Sequence, residues 1–354
     1  MVNPFLEQSH RGKVWRSYFF TFYKYYFPTF DVIIEKKIFM MKKCYAILLA
    51  ALCLTTACKK VNEDDPANPD SPTSTITEGA IDAIFSVSDT VQVRFSKGNL
   101  QYQATTATWR FAERQYDRIG QDNENISQHY AGWIDLFGWA TSGYDCGNTY
   151  FMPYDHAYLD DYDLGDGYGP LPSREYDLVG AYANCDWGVY NAISNGGNKP
   201  GLWRTLTAEE WYYLTQNRTN ASQKLGVASI EGVNGLVLLP DSWSLPEGCT
   251  FNPGMGDGDG REYFAIHNSY TSAQWEKMEG NGAVFLPAAG SREDTEVVYV
   301  NEMGRYWSVS RCTGTAYFDE WCALTLYFDS ELLLPADHNN PRDWGRAVRL
   351  VCNE

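Results

Sequence analysis

The chain has 354 residues, with 45 Asp or Glu against 28 Lys or Arg, and its formal net charge at pH 7 is −17. So acidic a protein is repelled by nucleic acid and by anionic membrane surfaces, which excludes both as expected partners. The length suffices for one elaborated domain with a sizeable core.

A segment near the N-terminus predicts export. Two lysines at 42–43 precede an apolar run at 44–54, a pattern typical of a secretory signal that is too short for a retained membrane span. The ending Ala57-Cys58 resembles the signal of bacterial lipoproteins, although Thr55 stands where Leu is commonest. The resemblance implies lipidation of Cys58 and an outer-membrane, cell-surface location with the lipid as the membrane anchor. Simple secretion is the alternative.

Two flanking segments are expected to lie outside the folded domain. Residues 1–40 are aromatic without a period and precede the signal, so we expect translation to begin at Met40 or Met41, a membrane-surface segment being the alternative. Residues 58–80 are polar and interrupted by proline, which predicts a flexible tether. Without residues 1–57 the chain has 20 basic and 42 acidic residues, a net charge of −22.

Six cysteines remain beyond the signal and the lipidation site. They are Cys146, Cys185, Cys249, Cys312, Cys322 and Cys352. None of the pairs has the spacing of a zinc site, and we predict neither a metal nor a cofactor. Disulfides and buried free thiols are equally compatible with this pattern, and the spacing does not select a pairing.

The first folded part, residues 81–190, is predicted to be rich in β-strands. Alternation at 91–95, 100–103 and 109–111 indicates strands separated by turns. Residues 143–187 have no durable period and are rich in Tyr, Asp and Gly. A loop of this length inside a domain is usually functional or unusually packed.

Two capping boxes predict helix starts. Thr207 and Glu210 form the first, flanked by the hydrophobic staple pair Leu206 and Trp211. The same arrangement recurs at 270–275. In both helices the staple position predicts that the tryptophan packs in the core and is not a platform for a sugar.

Each predicted helix is followed by a similar strand. Residues 234–240 and 281–287 both begin with Asn-Gly and end in an apolar run closed by proline. We interpret this as two helices packed beside one antiparallel sheet, an α+β domain.

Residues 201–211 carry a resemblance to a family. They read Gly-Leu-Trp-Arg-Thr-Leu-Thr-Ala-Glu-Glu-Trp and resemble the Trp-Arg-Leu-Pro-Thr-x-Glu-Glu-Trp segment of C-type-lectin-like domains in bacterial surface proteins. These are the Fibrobacter major paralogous domain and its relatives, distant cousins of the formylglycine-generating fold. Thr205-Leu206 departs from the Leu-Pro usual in the family.

The C-terminal third is similar to the same family at 306–308, 323–328 and 345–351. The resemblance implies a C-type-lectin-like core over residues 191–354. Residues 81–190 would then be N-terminal β decoration of the kind common in exported Bacteroidetes proteins. Fold resemblance says little about the ligand.

Proteins with this fold have three kinds of function. Formylglycine-generating enzymes carry a Cys-Arg-x-x-x-Arg signature, whereas Arg311-Cys312 here has the reverse order. The Glu-Pro-Asn and Trp-Asn-Asp motifs of calcium-dependent lectins are absent from the sequence. The third function, a variable receptor diversified by retroelements near its C-terminus, is the one that the polar tail favours.

The acidic residues at 160–167 carry the carboxylates that calcium prefers as ligands. An EF-hand loop beginning at Asp161 would need a glutamate where Pro172 stands, so a solvated loop is the expectation. An enzyme, hydrolase or oxidase, with its site at 143–187 is an alternative function. It would depend on pairs such as Asp160 and Asp163.

The alternating strand 324–328 predicts the binding surface. Leu324, Leu326 and Phe328 are expected to point inward, so that the residues between them point outward beside the polar loop 335–344. The expected ligand-binding residues are Thr325, Tyr327, Asp329, His338, Asn339, Asn340, Asp343, Trp344 and Arg346. For His338, an exposed loop residue without a role is the alternative.

The sequence therefore predicts a surface lipoprotein that binds a glycan or a protein without catalysis. A structural adhesin or fibre subunit is the other alternative.

Overall fold

The computed structural model describes residues 76–145, 150–155, 177–313, 322–338 and 340–354. The expected leader, signal and lipidation site at Cys58 lie outside these residues, as do most of the tether and most of the loop at 143–187. Residues 73–354 belong to one unit of the chain.

The described residues contain fourteen strands and four α-helices. The strands are β1 (Phe85–Ser86), β2 (Gln92–Phe95), β3 (Leu100–Gln103), β4 (Thr108–Phe111), β5 (Leu225–Ile230), β6 (Val233–Leu238), β7 (Ser269–Tyr270), β8 (Val284–Pro287), β9 (Ser291–Glu293), β10 (Glu296–Val298), β11 (Gly304–Arg311), β12 (Ala323–Phe328), β13 (Leu333–Asp337) and β14 (Val351–Asn353). The helices are α1 (Trp187–Tyr190), α2 (Ala208–Tyr212), α3 (Glu262–His267) and α4 (Ser272–Gly280).

The mixed α+β class is confirmed, but the expected single antiparallel sheet is wrong. The described strands form five small sheets, of which the largest has the order β7-β5-β6-β8. In that sheet β5 pairs with β7 in parallel, whereas β6 pairs with β5 and β8 in antiparallel register. The two similar strands of the sequence are thus neighbours, with Leu236 opposite Leu286. The strands are short, between two and eight residues.

The N-terminal strands occur where the alternation predicts them, but they are not a separate layer. Strand β2 lies between β1 and the C-terminal strand β14, with Val351 opposite Phe95. The two ends of the folded region therefore complete one sheet.

Both predicted capping boxes are confirmed. Thr207 Oγ1 accepts a hydrogen bond from Glu210 N at 3.0 Å, and Glu210 Oε2 accepts one from Thr207 N at 2.9 Å. The second box opens helix α4 in the same way. Trp211 and Trp275 are buried, as the staple positions predict.

The sheet β11-β12-β13 is covered on both faces. Leu326 and Phe328 belong to one hydrophobic cluster, whereas Trp307 and Ala323, on the opposite face, belong to another. Leu324 is only half-buried. The expectation that the second face of β12 is open to solvent is therefore wrong at Thr325, which is buried.

The predicted closing strand at 345–351 lies beside β11, where Ala347 N donates to the backbone oxygen of Arg305 at 3.0 Å and Trp307 N donates to that of Ala347 at 3.0 Å. It is regular only from Val351 onward. Before that point it makes single bridges, which join Gly345 to Arg292 and Ala347 to Tyr306. Because the chain crosses several short strands in turn, it does not form one long ladder.

No helix in the part of the chain that the structure describes is long and apolar enough to span a membrane.

Candidate functional site

The predicted binding surface is built around Arg305. This half-buried residue stands opposite Tyr327 in the register of β11 and β12, and its guanidinium carbon lies 4.7 Å from the centre of the tyrosine ring. Tyr327 Oη donates a hydrogen bond of 2.7 Å to Asp329 Oδ2. Burial raises the pKa of Tyr327, with Asp329 adding to the shift. The phenol is therefore a neutral donor at physiological pH.

The guanidinium of Arg305 also joins β11 to the end of β13 and to the loop that follows it. Arg305 Nη1 donates to Asp337 Oδ2 and to Asn340 Oδ1, each at 2.6 Å. Asn340 Nδ2 in turn donates to the backbone oxygen of Asp337 at 3.0 Å. Asp337 supplies the charge that compensates this half-buried arginine.

Arg346 also hydrogen-bonds to the side-chain amide of Asn340. Its Nε donates to Asn340 Oδ1 at 3.3 Å and its Nη1 donates to Ser291 Oγ. The guanidinium carbon lies 4.9 Å from the centre of the Trp344 ring. Burial lowers the pKa of Arg346, and the nearby positive charge of Arg305 lowers it further. We call Arg305, Tyr327, Asp337, Asn340, Trp344 and Arg346 the arginine network.

One carboxyl group beside the arginine network, that of Asp343, has a raised pKa. Burial raises the pKa of Asp343 to about 6, and Asp294 adds to the shift, while Arg346 and Arg292 oppose it. Asp343 Oδ2 is buried without a hydrogen-bond partner, as are Arg346 Nη2 and Thr325 Oγ1. Next to the arginine network there are therefore three polar atoms without a hydrogen bond to another protein group.

The structure brings several of the predicted binding residues together, but some of them are less exposed than the sequence predicts. Tyr327, Asp329, Asp343 and Trp344 are partly exposed, and His338 is exposed. Thr325, Asn340 and Arg346 are buried, so their expected exposure is wrong. The physical reason is packing: Thr325 shares its face with the buried Trp307 and Ala323 of a hydrophobic cluster, and the buried side chains of Arg346 and Asn340 hydrogen-bond to each other. Asn339 lies outside the described residues.

Sequence reasoning missed three members or neighbours of the site, namely Arg305, Asp337 and Ser291. Arg305 alternates with Trp307 in the sequence, which places both on one face, but its partners are 22 or more positions away along the chain. Asp337 ends β13 but lies within the polar stretch 335–344 of the sequence, so it could have been included from composition. Ser291 carries no local signal, because it meets Arg346 only through the fold.

The arrangement is suited to binding. Two partly exposed aromatic rings, each with a guanidinium against it, are connected through one buried amide. Within the described residues, no group of three His, Cys, Asp or Glu side chains is placed to hold a metal ion. The acidic residues at 160–167, including Asp160 and Asp163, lie outside the described part.

The cysteines of the described region are buried, and Cys249 and Cys352 are free thiols. Cys312 and Cys322 lie at the adjoining ends of β11 and β12, where Cys312 N donates to the backbone oxygen of Cys322 at 3.3 Å. Cys146 lies outside the described residues.

Compared with models of known protein families, with curated proteins and with solved structures, the chain matches none of them. Its function is therefore inferred from its own residues.

Proposed function

We propose that the protein is a non-catalytic binding module of the cell surface that recognises a glycan or a protein through Tyr327 and Trp344. One observation supports this function above the others. Both rings are partly exposed, and each is backed by an arginine that donates to the same oxygen, Asn340 Oδ1. The shared amide couples the two rings into one platform.

The platform has the properties that recognition requires. Aromatic side chains offer a large contact area with few rotatable bonds, so little conformational entropy is lost when a ligand binds. The network of Arg305, Asp337 and Asn340 holds one ring before the ligand arrives, which lowers the cost of association further. Asp329 and His338 add polar groups at the rim for hydrogen bonds to hydroxyl or amide groups.

Replacing Tyr327 and Trp344 together by alanine is expected to weaken binding at least tenfold, because the loss of two central aromatic contacts typically costs more than about 2 kcal/mol. The measurement is binding of the purified protein to an array of bacterial and host glycans and to intact cells.

A matched control exists elsewhere in the fold. Trp133 lies 3.8 Å from the guanidinium carbon of Arg110, and Tyr116 lies 5.0 Å from that of Arg114. The Tyr116→Ala, Trp133→Ala variant removes the same side-chain types from partly exposed positions and should bind like wild type. Equal binding by both double variants, with both folded, would assign recognition to another surface.

The fold and location that we propose with this function are a C-type-lectin-like domain on a surface lipoprotein anchored at Cys58. The supporting residues are the Trp-Arg…Glu-Glu-Trp segment at 203–211 and the Ala57-Cys58 ending of the signal. Cys58→Ala should abolish labelling with a radioactive or alkyne-bearing fatty acid and release the protein from membranes. Normal labelling of that variant would reject the anchor.

A further inference from the structure

Two cysteines face each other across the strands β11 and β12. Arg311 and Ala323 are paired at the adjoining ends of these strands. One residue further along, Cys312 N donates to the backbone oxygen of Cys322 at 3.3 Å. In an antiparallel ladder, two residues joined in this way have Cα atoms about 5.5 Å apart, and their side chains lie on the same face. That separation falls within the range of roughly 4.4–6.8 Å that a disulfide spans.

Both cysteine side chains are shielded from water. Cys312 is 3 % exposed and Cys322 is 4 % exposed. Only nine residues separate them in the sequence, so an encounter of the two thiols during folding closes a short loop at little entropic cost. Burial then keeps solvent thiols away from the pair, so we expect a bond formed during folding to persist in the folded protein.

The same pair contacts the polar loop of the arginine network. Cys312 Sγ donates to the backbone oxygen of His338 at 3.5 Å, and the backbone oxygen of Cys322 accepts from Arg342 Nε at 3.1 Å. His338 and Arg342 flank Asn340, the residue that both arginines of the network bind. A covalent bond between the cysteines therefore fixes the end of the hairpin against which this loop lies.

We propose that Cys312 and Cys322 form a disulfide that closes the hairpin of β11 and β12. The thiolate of one cysteine attacks a small disulfide such as oxidised glutathione, which forms a mixed disulfide and releases one thiol. The thiolate of the other cysteine then attacks the protein sulfur of that mixed disulfide, and the second thiol leaves. Two protons and two electrons pass to the oxidant, and the thiol hydrogen bond to His338 is lost. Export, which we propose for this chain, leads to an oxidising compartment where such bonds persist.

The test is a mass measurement on the full chain. The purified protein is reduced and unfolded in urea, refolded in a mixture of oxidised and reduced glutathione, and then treated with N-ethylmaleimide in urea. Trypsin releases residues 312–342 as one peptide, because Arg311 precedes Cys312 and the next Lys or Arg is Arg342. We expect this peptide to be lighter than its dithiol form by two hydrogen atoms and to carry no maleimide.

Cys249 and Cys352 provide the internal control. Their Sγ atoms donate to the backbone oxygens of Gln274 at 3.6 Å and Arg94 at 3.8 Å, and both are free thiols in the structure. Both should carry maleimide in the same sample, which shows that the reagent reached the denatured chain. Maleimide on both cysteines of the peptide 312–342, or a bond from either of them to a third cysteine, would overturn the proposal.

The melting temperature supplies a second measurement. Wild type refolded in glutathione should melt about 5 °C higher than wild type refolded in a reductant, since the closed loop restricts the unfolded chain. The Cys312→Ser, Cys322→Ser variant should melt at one temperature under both conditions. An equal difference in the variant, or no difference in wild type, would contradict a stabilising disulfide.

The mass measurement does not depend on the variant. If the Cys312→Ser, Cys322→Ser variant fails to fold, the mass of the peptide 312–342 from wild type decides the question. Neither measurement uses a ligand of Tyr327 and Trp344, so failure of the disulfide and failure of the proposed function are separate results.

Discussion

Replacing Trp211 by alanine is expected to lower the free energy of unfolding by about 3–5 kcal/mol. The indole is 0 % exposed and its ring lies 6.0 Å from that of Phe95, so the change leaves a cavity between helix α2 and the sheet of β2. It also removes half of the hydrophobic staple with Leu206. Urea denaturation followed by tryptophan fluorescence and by circular dichroism measures the change.

The next residue provides the control. Tyr212 lies in the same helix but is 48 % exposed, so Tyr212→Ala should change the free energy of unfolding by only about 0.5 kcal/mol. A Trp211→Ala variant as stable as wild type would mean that the indole does not fill the core.

The second large effect is expected from Gln115→Ala. The buried Gln115 side chain makes the backbone hydrogen bonds that a neighbouring strand would make at the edge of β8. Its Nε2 donates to the backbone oxygen of Ala283 at 2.9 Å, and its Oε1 accepts from Phe285 N at 2.8 Å. Oε1 also accepts from Arg349 Nη2 at 2.6 Å. Truncation leaves these buried groups without partners, at a cost of about 2–4 kcal/mol in the free energy of unfolding.

Gln128→Ala is the matched control, since Gln128 is exposed. The same urea titration should show little change for that variant. Equal stability of Gln115→Ala and Gln128→Ala would contradict the role of the amide in closing the sheet edge.

The helix starts were predictable because their determinants are local. The partners of Thr207 and Thr271 lie three residues away, and the staple residues lie five apart, so the spacing alone specifies which groups meet. The early strands were predictable for a similar reason, since alternation along β2, β3 and β4 reports the local period.

The binding surface was only partly predictable, because residues that are distant along the chain bury part of it. Alternation correctly separates Leu326 from Thr325, but it does not reveal that a second hydrophobic cluster, which includes Trp307 and Ala323, occupies the Thr325 face. A threonine beneath a second layer has the same sequence signature as one that faces water. The contact of Gln115 with Arg349 spans 234 positions and has no local signature at all.

The platform formed by Tyr327 and Trp344 is tested most directly by hydrogen–deuterium exchange with and without the strongest-binding probe from the glycan and cell array. The expected result is slower amide exchange in the peptides that contain Tyr327 and Trp344, with little change in those at 203–238. Unchanged exchange around both rings, together with slower exchange elsewhere in the chain, would contradict the assignment.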